Sequence, residues 1–254
     1  TSIDLAPTIA YLMRIPVPQH SQGVVRLDLF RGGHRSTLVP IIGLNDFHGQ
    51  LEQTTLTMDG RAVTVGGAAE LATMFKEEKA QFSNQAFLLA GGDNVGASPA
   101  NSALLQDMPA IDVENAWGLN ATSYGNHEFD YGVERLLMHQ ERANFPFLGA
   151  NIVDELTGKN PDWVQGTHVF QYGKLKIGVI GIGLENTPEL VSAGATEGLQ
   201  FLPAVSTIQT ESEKLRKMGV RIQIVLIHEG TANGTNTVDG NPAIPWDGPI
   251  VTIA

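Results

Sequence analysis

From Leu38 onward the sequence predicts a layered α/β fold with its helices outside. Two observations predict it. Short apolar runs rich in Val, Ile and Leu alternate with longer stretches of helical spacing, and several of those runs stop abruptly at Gly, Asp, Asn or His. The chain has 254 residues, 42% of them hydrophobic, which is enough to bury a full core in one large domain or in a domain with an appendage.

Residues 1–36 stand apart as an extension or the relic of a fused domain, with residues 37–254 forming the main domain. "IDLAPTIAYLM" reads as a short amphipathic helix with Pro7 in its first turn, "RIPVPQHSQG" as a Pro-rich turn region, and "LFRGGHRS" as a linker. Next, "LVPIIGLND" is a buried-strand run ending in polar residues, and "AAELATMFKEEKAQF" has helical spacing. "AFLLAGGDN" is strand then loop, "VENAWGLN" helix, and "ATSYGNHEFDYG" a strand end and loop. "VERLLMHQERA" is helical and "FPFLGAN" a strand. "KLKIGVIGIG" and "RIQIVLIHEG" are the two clearest strands, flanking a helix in "STIQTESEKLRKMG" that Gly219 stops. No internal repeat or low-complexity tract interrupts the pattern.

Composition excludes several functions. A net charge of −11 argues against holding a nucleic-acid polymer by its backbone, so a small anionic substrate would need local positive charge such as metal ions. With no cysteine, thiolate nucleophiles, disulfides and Cys-ligated zinc are ruled out, but the compartment is not fixed. The longest apolar stretches, such as Ile222–Ile227, are far too short to span a bilayer. The sequence begins at Thr1 and shows no signal peptide, so it reads as processed or trimmed.

Four apolar strands end in potential metal ligands: "GLNDFHG", "AGGDN", "SYGNHEFD" and "LIHEG". Ligand sites in α/β sheets gather at strand carboxyl ends. The loops supply Asp46 and His48, then Asp93, then Asn126 and His127, then His228. Such mixed oxygen and imidazole donors suit zinc, manganese, iron or cobalt better than calcium or copper. Singly, each piece has an ordinary reading: Asp or Asn at a strand end is turn chemistry, and a lone His after a strand is a hydrogen-bonded structural group. Four in order, at successive strand ends, point to one metal centre. The other histidines read as structural. His20 and His34 lack companion ligands, His139 sits among Met138, Gln140 and Glu141 and reads as surface, and His168 reads as edge strand or turn.

"NDFHGQLE", "GGDNVGASP", "GNHEFDYG" and "IHEG", in this order, closely resemble the calcineurin-like metallophosphoesterases, and within them the 5'-nucleotidase branch. The resemblance covers residues 38–254. It implies a four-layer α/β/β/α sandwich and two divalent metal ions, of Zn, Mn, Co or Fe. Asp93 would bridge the ions, Asp46 and His48 would serve one, and Asn126 and His228 the other. A hydroxide held between them would attack phosphorus in line. His127 would act on the phosphoryl oxygens or the leaving group without binding metal, with Asp130 orienting and charging its ring. Glu128 is not needed for this chemistry and reads as capping or packing under the loop.

The implied activity is hydrolysis of nucleotides in a bacterial periplasmic or secreted protein. Cyclic-nucleotide phosphodiesterase and nucleotide-sugar or dinucleotide hydrolase are alternatives on the same centre, and an inactive truncated scaffold is an alternative of another class. The family pattern also has a later strand ending in Gly-His-x-His or Gly-His-x-Gln, which gives one ligand to each metal. This sequence ends at "GPIVTIA" before that strand, so the domain is expected to be incomplete at its C-terminal edge. The branch's separate C-terminal nucleoside-binding domain is expected in a parent protein. Residues 1–36 weakly resemble the C-terminal end of alkaline-phosphatase-like phosphodiesterases.

Overall fold

The computed structural model describes residues 37–230. The expectations for residues 1–36, for His20 and His34, and for the sequence beyond Gly230 lie outside the described residues. Strand β1 (Ile41–Leu44) leads through a loop to a hairpin of β2 (Thr54–Met58) and β3 (Arg61–Val65). Helix α1 (Ala68–Gln81) follows, then β4 (Phe87–Ala90), a short turn of helix α2 (Ala100–Ala103) and α3 (Met108–Trp117). Strand β5 (Ala121–Ser123) ends in a 3-10 turn at His127–Phe129, which runs into α4 (Gly132–Arg142). Beyond it come β6 (Phe147–Leu148), β7 (Ile152–Asp154), β8 (Thr167–Tyr172), β9 (Leu175–Ile182), the short α5 (Thr187–Leu190), β10 (Leu199–Phe201), α6 (Ala204–Lys217) and β11 (Ile222–Ile227). Helix α3 reaches back beyond the expected "VENAW" to Met108, because Pro109 in its first turn has no intrahelical bond to forfeit.

Two sheets form the centre. In the first the order is β1-β4-β5-β6, all parallel. The second runs β11-β9-β8, with β11 parallel and β8 antiparallel to β9. Phe87 of β4 meets Phe170 and Tyr172 of β8, with ring centroids 5.2 and 5.8 Å apart, which places aromatic side chains between the sheets. On the outer face of the first sheet, Leu88 and Ala90 pack in one cluster with Phe75 of α1, Ile111 and Trp117 of α3 and Leu136 of α4. On the outer face of the second, Ile180 and Ile182 pack with Ala204 and Leu215 of α6. The four layers are therefore helix, sheet, sheet and helix, as expected.

Two expectations need correction. First, β1 is not buried: Ile41 is 50% exposed. Among the described residues β1 is an edge strand, and so is β11; an open groove of about 820 Å³ runs between them, lined by Ile41, Leu44, Ile224 and Leu226, and ends on Asp46, Gly91 and His228. Second, His139 is only 1% exposed. It shares a helical face with buried Leu136, three residues earlier, whereas its immediate neighbours in sequence point elsewhere. Its Nε2 donates to the Gln106 carbonyl at 2.7 Å, and burial pushes its pKa down.

Candidate metal centre

The four polar loops meet at one edge of the molecule. Asp46 and His48 follow β1, Asp93 follows β4, Asn126 and His127 follow β5, and His228 directly follows β11. Asp93 is the hub: it is 3% exposed, and its Oδ2 lies 3.1 Å from His228 Nε2 and 3.9 Å from His48 Nε2. Its Oδ1 accepts the His127 backbone N–H at 2.9 Å. His48 Nε2 is also 3.8 Å from Asp46 Oδ1. Ligand atoms fall into two groups that share Asp93: His48, Asp93 and His127, and Asp46, Asp93 and His228, each within 4.8 Å. Asn126 immediately precedes the 3-10 turn that carries His127, without a side-chain capping bond, and is half-buried on the same loop.

The backbone beneath these groups is strained. Asp46, His48 and Asp93 all adopt positive φ, at 53°, 47° and 54°. Left-handed backbone at a non-glycine residue costs on the order of 1–3 kcal/mol and persists only where the surroundings over-determine it. Here a run of loop-to-loop hydrogen bonds does so: Asp46 N–H to Gly92 O, His48 N–H to Asp93 O and Gly49 N–H to Asn94 O, at 3.1, 3.0 and 3.0 Å. Beside it, Gly125 lies so close that a Cβ there would overlap the Asp93 carboxylate.

Glu128 holds the same turn from below. It is 2% exposed, and its two oxygens accept N–H groups from Asp93 at 3.0 Å, Asn94 at 2.8 Å and Gly125 at 2.6 Å. Burial and the Asp93 charge push its pKa up to about 7 against the pull of those three donors. The expectation of packing under the loop thus holds, but the carboxylate ties two ligand loops together, a role that "GNHEFDYG" alone did not disclose.

The histidine tautomers are set by their outer partners. His48 Nδ1 lies 2.9 Å from the Gly96 carbonyl, and His228 Nδ1 lies 3.0 Å from the Gly91 carbonyl. A carbonyl only accepts, so both rings carry a proton on Nδ1 and turn Nε2 toward Asp93. That is the arrangement a metal-binding imidazole requires. Two Nε2 atoms facing a buried carboxylate form a donor set that fits a divalent cation. Without one, burial opposes charge on His228, but the Asp93 hydrogen bond and the nearby charges prevail and push its pKa up to about 9. Burial raises the Asp93 pKa, yet hydrogen bonding and charge from His228 and His127 bring it below its ordinary value.

His127 differs: its Nδ1 faces Asp130 Oδ2 at 2.8 Å. Burial disfavours its charge, but Asp130, Asp93 and Glu128 together raise its pKa. Its ring meets that of His48 edge-on at 5.0 Å.

The model of the calcineurin-like phosphoesterase family matches residues 39–246. A cell wall protein of Listeria monocytogenes is 32% identical over 215 residues, covering 75% of this chain and 27% of its own. A snake venom 5'-nucleotidase from Gloydius brevicauda is 32% identical over 197 residues, covering 75% of this chain and 32% of its own. The NAD nucleotidase structure of Haemophilus influenzae superposes with a TM-score of 0.66 at 25% identity, over 79% of this chain and 35% of that one. The chain thus spans about a third of the length of the relatives it matches.

Proposed function

This chain belongs to the calcineurin-like phosphoesterase family, and on that premise we propose that it hydrolyses phosphoesters of nucleotides at a centre of two divalent metal ions. One observation carries the reading: the buried Asp93 carboxylate faces the Nε2 atoms of His48 and His228, each ring fixed by a backbone carbonyl. Asp93 would be shared by the two ions, with Asp46 and His48 completing this chain's contribution to one and Asn126 and His228 to the other. Bound there, the ions would supply an activated water and neutralise charge on the phosphoryl group. Their identity among Zn, Mn, Co and Fe is left to the donor set, which suits all four.

His127 takes the proton-transfer role. Its Nδ1–H donates to Asp130, which locks the ring and favours the imidazolium, leaving Nε2–H free to donate to the leaving-group oxygen. A Cβ at Gly96 would overlap both His127 and the Asp130 carboxylate, so glycine there leaves room for the pair. The similarity to a venom 5'-nucleotidase and an NAD nucleotidase supports nucleotides as the substrate class. Nucleoside recognition would fall to a further C-terminal domain, for which the relatives' greater length leaves room. A periplasmic or secreted site of action fits the cell wall and venom relatives, and no helix among the described residues is long and apolar enough to cross a membrane.

The test is elemental analysis of the full-length polypeptide, followed by p-nitrophenyl phosphate hydrolysis with added manganese. Bound divalent metal and metal-dependent turnover are expected, and Asp93→Asn should remove both ions together. Loss of one ion with the other kept would overturn the shared role of Asp93. Turnover that survives complete metal removal would overturn the function.

A further inference from the structure

We propose that Asp107, which lies outside every ligand motif, is a positioning residue that sets His48 for metal binding; the inference rests on the metal-centre reading above. The two ligand histidines are fixed in the same way but anchored differently. His228 donates to Gly91 O, and Gly91 continues the β1–β4 ladder through its own N–H to Leu44 O at 2.8 Å. The sheet itself therefore fixes that carbonyl. His48 donates to Gly96 O, which sits in a loop with no strand behind it. Gly96 has φ +77° and Ala97 φ +47°, so this loop needs an anchor of its own.

Asp107 provides that anchor. It is 1% exposed. Its Oδ2 accepts the Gly96 N–H at 3.2 Å, and its Oδ1 accepts the Ser102 hydroxyl at 2.7 Å. Asp107 is itself left-handed, at φ +59°, next to Gln106 at φ +63°. From the other side, His139 of α4 donates Nε2–H to the Gln106 carbonyl at 2.7 Å, which ties this second strained turn to a helix. The connection therefore runs from α4 through His139 and Gln106 to Asp107, then Gly96, then the Nδ1 of His48. Outer partners of this kind set ring orientation and ligand basicity, and their loss typically costs about 10–100-fold in metal affinity. The effect should be selective, because Gly91 and His228 share none of these contacts.

The experiment titrates Mn²⁺ into the metal-free full-length polypeptide, by calorimetry and electron paramagnetic resonance, for the parent, Asp107→Ala and Ser102→Ala. Alanine accepts from neither donor, so Asp107→Ala should weaken one of the two Mn²⁺ ions about 10–100-fold and leave the other near its parent affinity. Ser102→Ala keeps the Gly96 bond and should weaken the same ion by about 2–10-fold, the worth of one hydrogen bond, which provides a reading even if Asp107→Ala does not fold. Unchanged affinities in both variants would overturn the inference. An equal loss at both ions in the folded variants would also overturn it, since that would mark a general structural role. Absence of Mn²⁺ binding by the parent would overturn the metal-centre reading itself.

Discussion

Glu128 and Glu114 are both buried, at 2% and 0% exposure, yet they do opposite things. Glu128 accepts three backbone N–H groups and clips the Asp93 loop to the Gly125 loop. Neither oxygen of Glu114 has a hydrogen-bond partner among the described residues. Burial, and then the charge of Glu128, push the Glu114 pKa well above its ordinary value of 4.5, which disfavours the charged form. Burial of a carboxyl group therefore does not by itself signify function. What separates the two is whether the surroundings offer donors. At Glu128 the donors come from the loops that carry metal ligands.

The largest effect should come from breaking the satisfied member. Glu128→Ala leaves three buried N–H groups without an acceptor, at ~1–3 kcal/mol each, so a loss of roughly 3 kcal/mol or more of unfolding free energy is expected. Urea denaturation of the metal-free protein measures this. An unchanged midpoint and slope would mean that the clip is unimportant to the fold.

A neighbouring change separates structure from chemistry within the same loop. His127→Ala should lower turnover by roughly 10²–10⁴-fold, the range for a positioned acid–base group, with metal content nearly unchanged. Stoichiometric loss of an ion in that variant would make His127 a ligand, consistent with its place beside His48 and Asp93.

The smallest effect has the opposite sign. Glu114→Leu removes two unpartnered buried oxygens and should stabilise the protein by about 1–3 kcal/mol at neutral pH. Because the folded pKa of Glu114 is raised, its stabilising contribution is complete below 4.5 and is lost as pH rises toward the folded value. The advantage of Glu114→Leu should therefore shrink as pH falls from the folded value toward 4.5 and level off below it. Thermal unfolding at several pH values would show it, and a gap that is constant across pH would mean that the Glu114 pKa is not raised in the fold.

Much of the fold was legible before any coordinates. The helix starting at Ala68 and the strands ending at Ala90, Ile182 and Ile227 lie where periodicity puts them, and the helix expected from Ser206 starts two residues earlier at Ala204. The misreadings share a cause. The sequence neighbours of His139 point to the surface, but a helix buries residues by spacing of three and four. β1 was judged by composition, although an apolar strand is buried only if another layer or strand covers it, and among the described residues β1 is an edge. Asp107 gave no signal, because a single Asp before a helix is ordinary turn chemistry.

The sequence by itself determined the alternation of the main strands and helices, and the placing of Asp46, His48, Asp93, Asn126, His127 and His228 at strand ends. Those features follow from side-chain period and from the turn preferences of Gly, Asp and Asn, which act over a few residues. It did not disclose the hairpin at residues 54–65 or the short strands at Ile152–Asp154 and Leu199–Phe201. Only the tertiary structure decided that His48 donates to Gly96, that Gly96 donates to Asp107, that His139 holds Gln106, and that Glu128 gathers the N–H groups of Asp93, Asn94 and Gly125. Most of these bonds join residues that are distant in the chain. Their geometry depends on how two sheets and their helices pack, and a hydrogen bond is decided by tenths of an ångström that no local pattern encodes.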